Sequence, residues 1–172
     1  MKHILILRHA KSDWSNPALA DFDRPLAERG LKDAPLMGQA LARFRQTPDI
    51  IISSPARRAK QTAELAARAA NFQGTIRWND SLYPGSSSDL LAALRALPDT
   101  IERPMLVGHN PAFANTAALL CNLHPTDKLE DIRLPTAGLI CFAVNIANWS
   151  ALEPGDGVLR WFLIPKLLKA LR

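Results

Sequence analysis

Three short apolar runs, each closed by polar or basic residues, constrain this chain more than any other feature. Residues 3–7 read His-Ile-Leu-Ile-Leu, residues 49–53 carry Ile50, Ile51 and Ile52, and residues 104–108 carry Met105, Leu106 and Val107. A run that is apolar at every position marks a strand buried on both faces, as in a parallel sheet. Helical periodicity fills the intervals. Residues 31–44 place Ala34, Met37, Leu41 and Phe44 on one face; 58–70 are alanine-rich around Leu65; 89–97 carry Leu90, Leu91, Leu94 and Leu97. Pro111 suits the first turn of a helix reaching about Leu120, and 165–172 read as a closing helix. Further strands are expected at 75–79, 139–145 and 158–164. Strands alternating with helices predict an α/β fold: a three-layer sandwich with a mostly parallel sheet and helices on both faces.

Composition narrows the function classes. A length of 172 residues suits one domain, expected over 1–172, since domains run to ~100–200 residues. With 48% hydrophobic and 22% charged residues the chain is globular in composition, which excludes disorder and collagen-like repeats. The longest apolar runs, 4–7 and 139–144, fall far short of the ~20 residues of a membrane helix. The first residues read as a strand and not a signal peptide, so a cytoplasmic location and no membrane partner are expected. Cys121 and Cys141 lie in apolar surroundings and read as buried reduced thiols. The net charge of +5 is scattered, without a Lys/Arg run or interleaved aromatics, so nucleic acid is not an expected partner. Nothing in the residues speaks to oligomeric state.

In open α/β sheets ligands bind outside the carboxyl ends of the strands. The first run is followed by Arg8, His9 and Lys11, the second by Ser54, Arg57 and Arg58, the third by His109 and Asn110. Two histidines and several arginines thus converge on one edge from distant parts of the chain, a set suited to an anion. Arginine forks donate paired hydrogen bonds to phosphate oxygens, and a neutral imidazole can attack phosphorus. Its other nitrogen must then donate to a fixed acceptor.

The same residues carry a resemblance. Arg8-His9-Ala10 resembles the Arg-His-Gly signature of the histidine phosphatase superfamily, with alanine for glycine. Ser53-Ser54-Pro55-Ala56-Arg57-Arg58-Ala59-Lys60-Gln61-Thr62 resembles its second block, and Val107-Gly108-His109-Asn110-Pro111 its third. Asp23-Arg24-Pro25-Leu26 followed by Gly30, in so short a chain, is similar to the SixA-type phosphohistidine phosphatases. The likeness runs from residue 2 to about 142 and implies a phosphoglycerate mutase-like fold. It implies His9 as nucleophile, Arg8 and Arg58 as phosphate clamps, and His109 as the second imidazole. Arg58 is preferred because the family's arginine precedes a small residue, here Ala59; Arg57 becomes a surface charge or a secondary contact. Arg24 either reaches the phosphate or is a solvated loop arginine. Ser54 and Asn110 are hydrogen-bond donors to the site or helix caps, and Thr136 resembles a hydroxyl position near the second histidine. His3 reads as a strand residue and His124 as a loop residue before Pro125, with no metal-ligand spacing. No metal or cofactor is expected.

Many members of the superfamily have an acidic residue after the second helix, where it can protonate a departing alkoxide. Here that segment reads Trp78-Asn79-Asp80-Ser81-Leu82-Tyr83, and Asp80 is the nearest carboxylate. Asp13, Asp21 and Asp23, in the first crossover, are the loop alternatives for that acid, each read otherwise as a turn residue or a solvated charge. A weak acid suits a good leaving group, so the expected substrate is phosphohistidine on a protein. The alternatives are a small phosphate ester cleaved by a phosphomonoesterase or, less in keeping with so short a chain, handled by a mutase-like transferase, and a non-catalytic phosphate-binding adaptor.

Overall fold

The structure, a computed structural model, describes residues 1–122 and 133–171; His124 and Arg172 lie outside them. The expected strands form one six-stranded sheet. They are β1 (Lys2–Arg8), β2 (Ile50–Ser53), β3 (Thr75–Trp78), β4 (Pro104–Gly108), β5 (Leu139–Val144) and β6 (Gly157–Leu163), in the order β3-β2-β4-β1-β5-β6. The helices are α1 (Glu28–Arg43), α2 (Arg57–Ala69), α3 (Ser87–Arg95), α4 (Ala112–Leu120) and α5 (Pro165–Ala170).

Side chains alternate across β1, and each set finds its own core. Ile4 and Ile6 join Ile50, Ile52 and Leu106 under α3 and α4, with Trp149 fully buried among them. Leu5 and Leu7 join Ile51, Met105 and Val107 under α1, α2 and α5. This explains the uninterrupted apolar runs: both faces of β1, β2 and β4 are covered. The edge strands β3 and β6 are largely exposed instead.

Strand direction refines the expectation. β3, β2, β4 and β1 run parallel, whereas β5 is antiparallel to β1 and β6 antiparallel to β5. The segment joining β5 to β6 holds only a short 3-10 turn, Trp149–Ala151. A helical crossover is what parallel neighbours need, and that segment has none. Local boundaries shift too. Phe44 lies past the end of α1 and is 51% exposed, not part of its buried face. α3 begins before residue 89 because Ser86 and Asp89 form a reciprocal capping box. Of the two thiols, Cys141 is buried as expected and Cys121 only half-buried.

Register sets the site. Ser53 is opposite Val107 and Arg8 opposite Gly108, so β2, β4 and β1 end together. Ser54 N–H donates to Val107 O at 2.9 Å and His9 N–H to Gly108 O at 2.8 Å. Gly108 has to be small: a Cβ there would lie 2.5 Å from the Phe113 ring, which packs α4 against the strand end.

Candidate active site

His9 follows β1 and is 7% exposed. Its Nδ1 lies 2.7 Å from the Ala10 carbonyl oxygen. A carbonyl only accepts, so Nδ1 carries the hydrogen and Nε2 keeps its lone pair. Burial pushes the imidazole pKa down to about 4; the Ala10 contact opposes this, and the Arg58 and Arg8 guanidiniums deepen the shift. The ring is therefore neutral at pH 7. Its backbone is fixed as well: Ala10 N–H donates to Thr62 Oγ1 at 3.0 Å, and that hydroxyl donates to Arg58 O at 2.7 Å. β1 and α2 are thereby locked together beside the imidazole.

Two guanidiniums flank it. Arg8 donates from Nη1 to Leu134 O at 2.8 Å, while its Nε is buried without a partner. Burial, and then the Arg58 charge, hold the pKa of Arg8 below its usual value. Arg58, in the first turn of α2, is buried and bonds to Asp21 twice: Nη1 to the backbone oxygen, and Nη2 to Oδ2 at 2.8 Å. A buried guanidinium and a half-buried one that repel each other favour an anion between them.

His109, at the end of β4, completes the group with its ring centroid 5.0 Å from that of His9. Its Nε2 is 2.8 Å from Ser54 Oγ. That hydroxyl also accepts from Ala56 N–H, at 3.3 Å. Nδ1 is buried and finds no hydrogen-bond partner among the described residues. Burial drives the His109 pKa down to about 3, helped by His9 and Arg58 and opposed by Asp21. Asn110 donates to the same Leu134 carbonyl as Arg8, at 3.1 Å, and its Oδ1 is buried without a partner.

The comparisons with known proteins agree with this arrangement. The sequence profile of the histidine phosphatase superfamily (branch 1) matches residues 4–82. An uncharacterized protein of Mycobacterium tuberculosis is 30% identical over 164 residues, spanning 93% of this chain and all of the relative. A crystal structure from Agrobacterium tumefaciens, of a protein assigned as a phosphohistidine phosphatase SixA, is 32% identical. It superposes with a TM-score of 0.80 over 95% of this chain and 98% of its own. The chain belongs to the histidine phosphatase superfamily.

Within it the fold is SixA-like: a protein histidine phosphatase SixA complexed with tungstate, 23% identical, also gives a TM-score of 0.80, covering 96% of this chain and 99% of that one. Membership makes the chain a phosphatase by family. Among the residues expected from the superfamily's motifs, His9, Arg8, Arg58, His109, Ser54 and Asn110 come together. Arg57 is exposed, which separates it from Arg58. Arg24 is buried, not solvated: it stacks on Trp14 at 4.1 Å, donates to Asn16 O at 3.3 Å, and its Nε, 4.0 Å from Asp21 Oδ1, is buried with no hydrogen-bond partner among the described residues. Thr136 is half-buried beside Ala137, whose N–H donates to His9 O at 3.1 Å. Asp80 is exposed in a 3-10 turn.

Two residues of the site, Thr62 and Tyr83, were not singled out for it by sequence, and the role of a third, Asp21, was not foreseen beyond that of an alternative acid. Thr62 was quoted only as part of a motif. Tyr83, the chain's one tyrosine, donates to Asp21 Oδ2 at 2.9 Å and sets its ring edge-on to His109 at 5.2 Å. Asp21 is no solvated turn charge but the partner of both Arg58 and Tyr83. Burial raises its carboxyl, yet the Tyr83 hydroxyl and Arg58 outweigh that and hold its pKa low.

Proposed function

We propose that this phosphatase removes phosphoryl groups from phosphohistidine side chains of proteins, through a phosphohistidine formed on His9 and without a metal. The observation that carries this reading is the state of His9: a neutral ring, its Nδ1–H tied to Ala10 O, held between two guanidiniums. In the first step the Nε2 lone pair forms the new P–N bond as the substrate's P–N bond breaks. The departing imidazole nitrogen keeps that electron pair and takes a proton from solvent, unless the ring is already protonated. Arg8, Arg58 and His109 hold the phosphoryl oxygens, where charge concentrates in the transition state. Water then attacks phosphorus, the His9 P–N bond breaks, and phosphate leaves.

The placement of carboxylates supports the substrate class. Asp80, the carboxylate nearest the expected acid position, is exposed in a 3-10 turn. Asp21 is held ionised by Tyr83 and Arg58. An alkoxide needs an enzymic proton donor far more than an imidazole does. The test compares a phosphohistidine-bearing carrier protein with sugar phosphates and an aryl phosphate, all in EDTA. Turnover of the carrier far above that of the sugar phosphates is expected. The reverse order would move the function to a small-molecule phosphomonoesterase, and no turnover of any of them would favour a phosphate-binding adaptor.

A further inference from the structure

An in-line attack by His9 on phosphorus expels the leaving group on the side opposite the imidazole. The floor of the site is buried: His9, His109 and Arg58 are all nearly closed to solvent. At the mouth stand Asp21, whose side chain is 46% exposed, Phe22, 38% exposed, and half-buried Tyr83. Their rings form a ladder from floor to mouth. His109 meets Tyr83 edge-on, and Tyr83 meets Phe22 edge-on with centroids 5.1 Å apart. The Asp21 carboxylate lies alongside, its Oδ2 bonded to Arg58 and Tyr83 and its Oδ1 4.0 Å from Arg24 Nε.

We propose that Asp21, Phe22 and Tyr83 form the leaving-group subsite, and that its chemistry selects a flat, protonated imidazole over a leaving group that bears a second anion. The inference rests on the phosphohistidine reading above and assigns its specificity to named residues. Aromatic edges and faces suit a planar ring, with added attraction for a cationic one. A carboxylate at the same place attracts a protonated ring and repels a carboxylated or doubly phosphorylated metabolite. A phosphoryl group that engages Arg58 draws it partly away from Asp21, so the carboxylate becomes less compensated when the leaving group needs it.

The experiment measures kcat/KM for phosphoimidazole and for phosphoglycolate, a phosphate ester with a carboxylate beside the scissile bond. Asp21→Asn keeps size and hydrogen bonding while it removes the charge. It should lower the phosphoimidazole-to-phosphoglycolate ratio by about fivefold, the scale of one solvent-screened charge interaction. Tyr83→Phe leaves the carboxylate with one donor fewer, and the ratio should hold or rise. Equal changes for both substrates in Asp21→Asn would reduce Asp21 to a support for Arg58 and overturn the inference while leaving the phosphohistidine reading intact. A fall of the ratio in Tyr83→Phe would overturn it as well. A wild-type enzyme that cleaves phosphoglycolate but not phosphoimidazole would remove the functional reading and the subsite together.

Discussion

The two ends of β1 both bury positive charge, and they treat it in opposite ways. At the amino end Lys2 is 3% exposed, and its Nζ donates to Asp99 O at 2.6 Å, Ile101 O at 3.0 Å and Glu102 Oε1 at 3.4 Å. An ammonium has no more hydrogens to give. At the carboxyl end Arg8 Nε, His109 Nδ1 and Asn110 Oδ1 are all buried and find no hydrogen-bond partner among the described residues, and Arg24 Nε is in the same condition nearby. A buried polar atom left unpaired costs about 1–3 kcal/mol. Several such atoms in one place, guanidinium N–H donors among them, describe a site shaped for an anion. Closed bonding serves the fold; open bonding serves a ligand.

This contrast can be broken at either end. The largest effect is expected from His9→Gln, which should cut turnover by on the order of 10⁴–10⁶-fold, as nucleophile removal does elsewhere. The variant should still fold, since the ring packs at the strand end and outside the two apolar cores; circular dichroism with steady-state assays checks both. Arg58→Ala and Arg8→Ala should each lower kcat/KM by about 10²–10³-fold, the scale of losing one preorganised donor in a transition state.

Lys2→Met reverses the pattern. It takes the lysine donor from Asp99 O, while Ile101 O keeps the Trp149 indole N–H at 2.8 Å, so urea unfolding should show a loss of about 1–3 kcal/mol, with kcat unchanged. A drop in kcat there would erase the distinction between the ends. A subtler test uses acid. His9 is depressed from 6.5 to about 4, so between those values the unfolded chain binds a proton that the folded chain refuses. Stability from this residue is full above pH 6.5 and is lost as pH falls toward 4. His9→Gln should therefore flatten the acid limb of a stability-against-pH curve, and an unchanged slope would contradict the neutral buried ring.

What the sequence made legible follows from the same physics. Runs such as Ile50-Ile51-Ile52 announce strands covered on both faces, and the residues after them fall on one edge because parallel strands end together. His9, Arg8, His109, Asn110 and the pair Arg57 and Arg58 could be read in this way, and the choice of Arg58 came from the resemblance to the superfamily, whose arginine precedes a small residue, here Ala59. The direction of β5 and β6 was not legible, because an apolar run is the same in either direction. The start of α1 was hidden by Gly30, which looks like a breaker. In the structure it lies inside the first turn, where a Cβ would meet the Lys11 carbonyl oxygen at 2.3 Å. The role of Asp21 was missed because its partners are 37 and 62 residues away, beyond any local pattern. Thr62 was hidden inside helical periodicity.

The central claim is that the open bonds around His9 exist to receive a phosphoryl group that His9 then carries. The most direct measurement quenches the enzyme within milliseconds of mixing with a phosphohistidine carrier protein, holds it at neutral or alkaline pH, and maps the phosphorylated peptide by mass spectrometry. The expected result is an acid-labile phosphoryl group on the peptide that contains His9, absent from His9→Gln. Turnover without label on that peptide, or label that persists in His9→Gln, would contradict it.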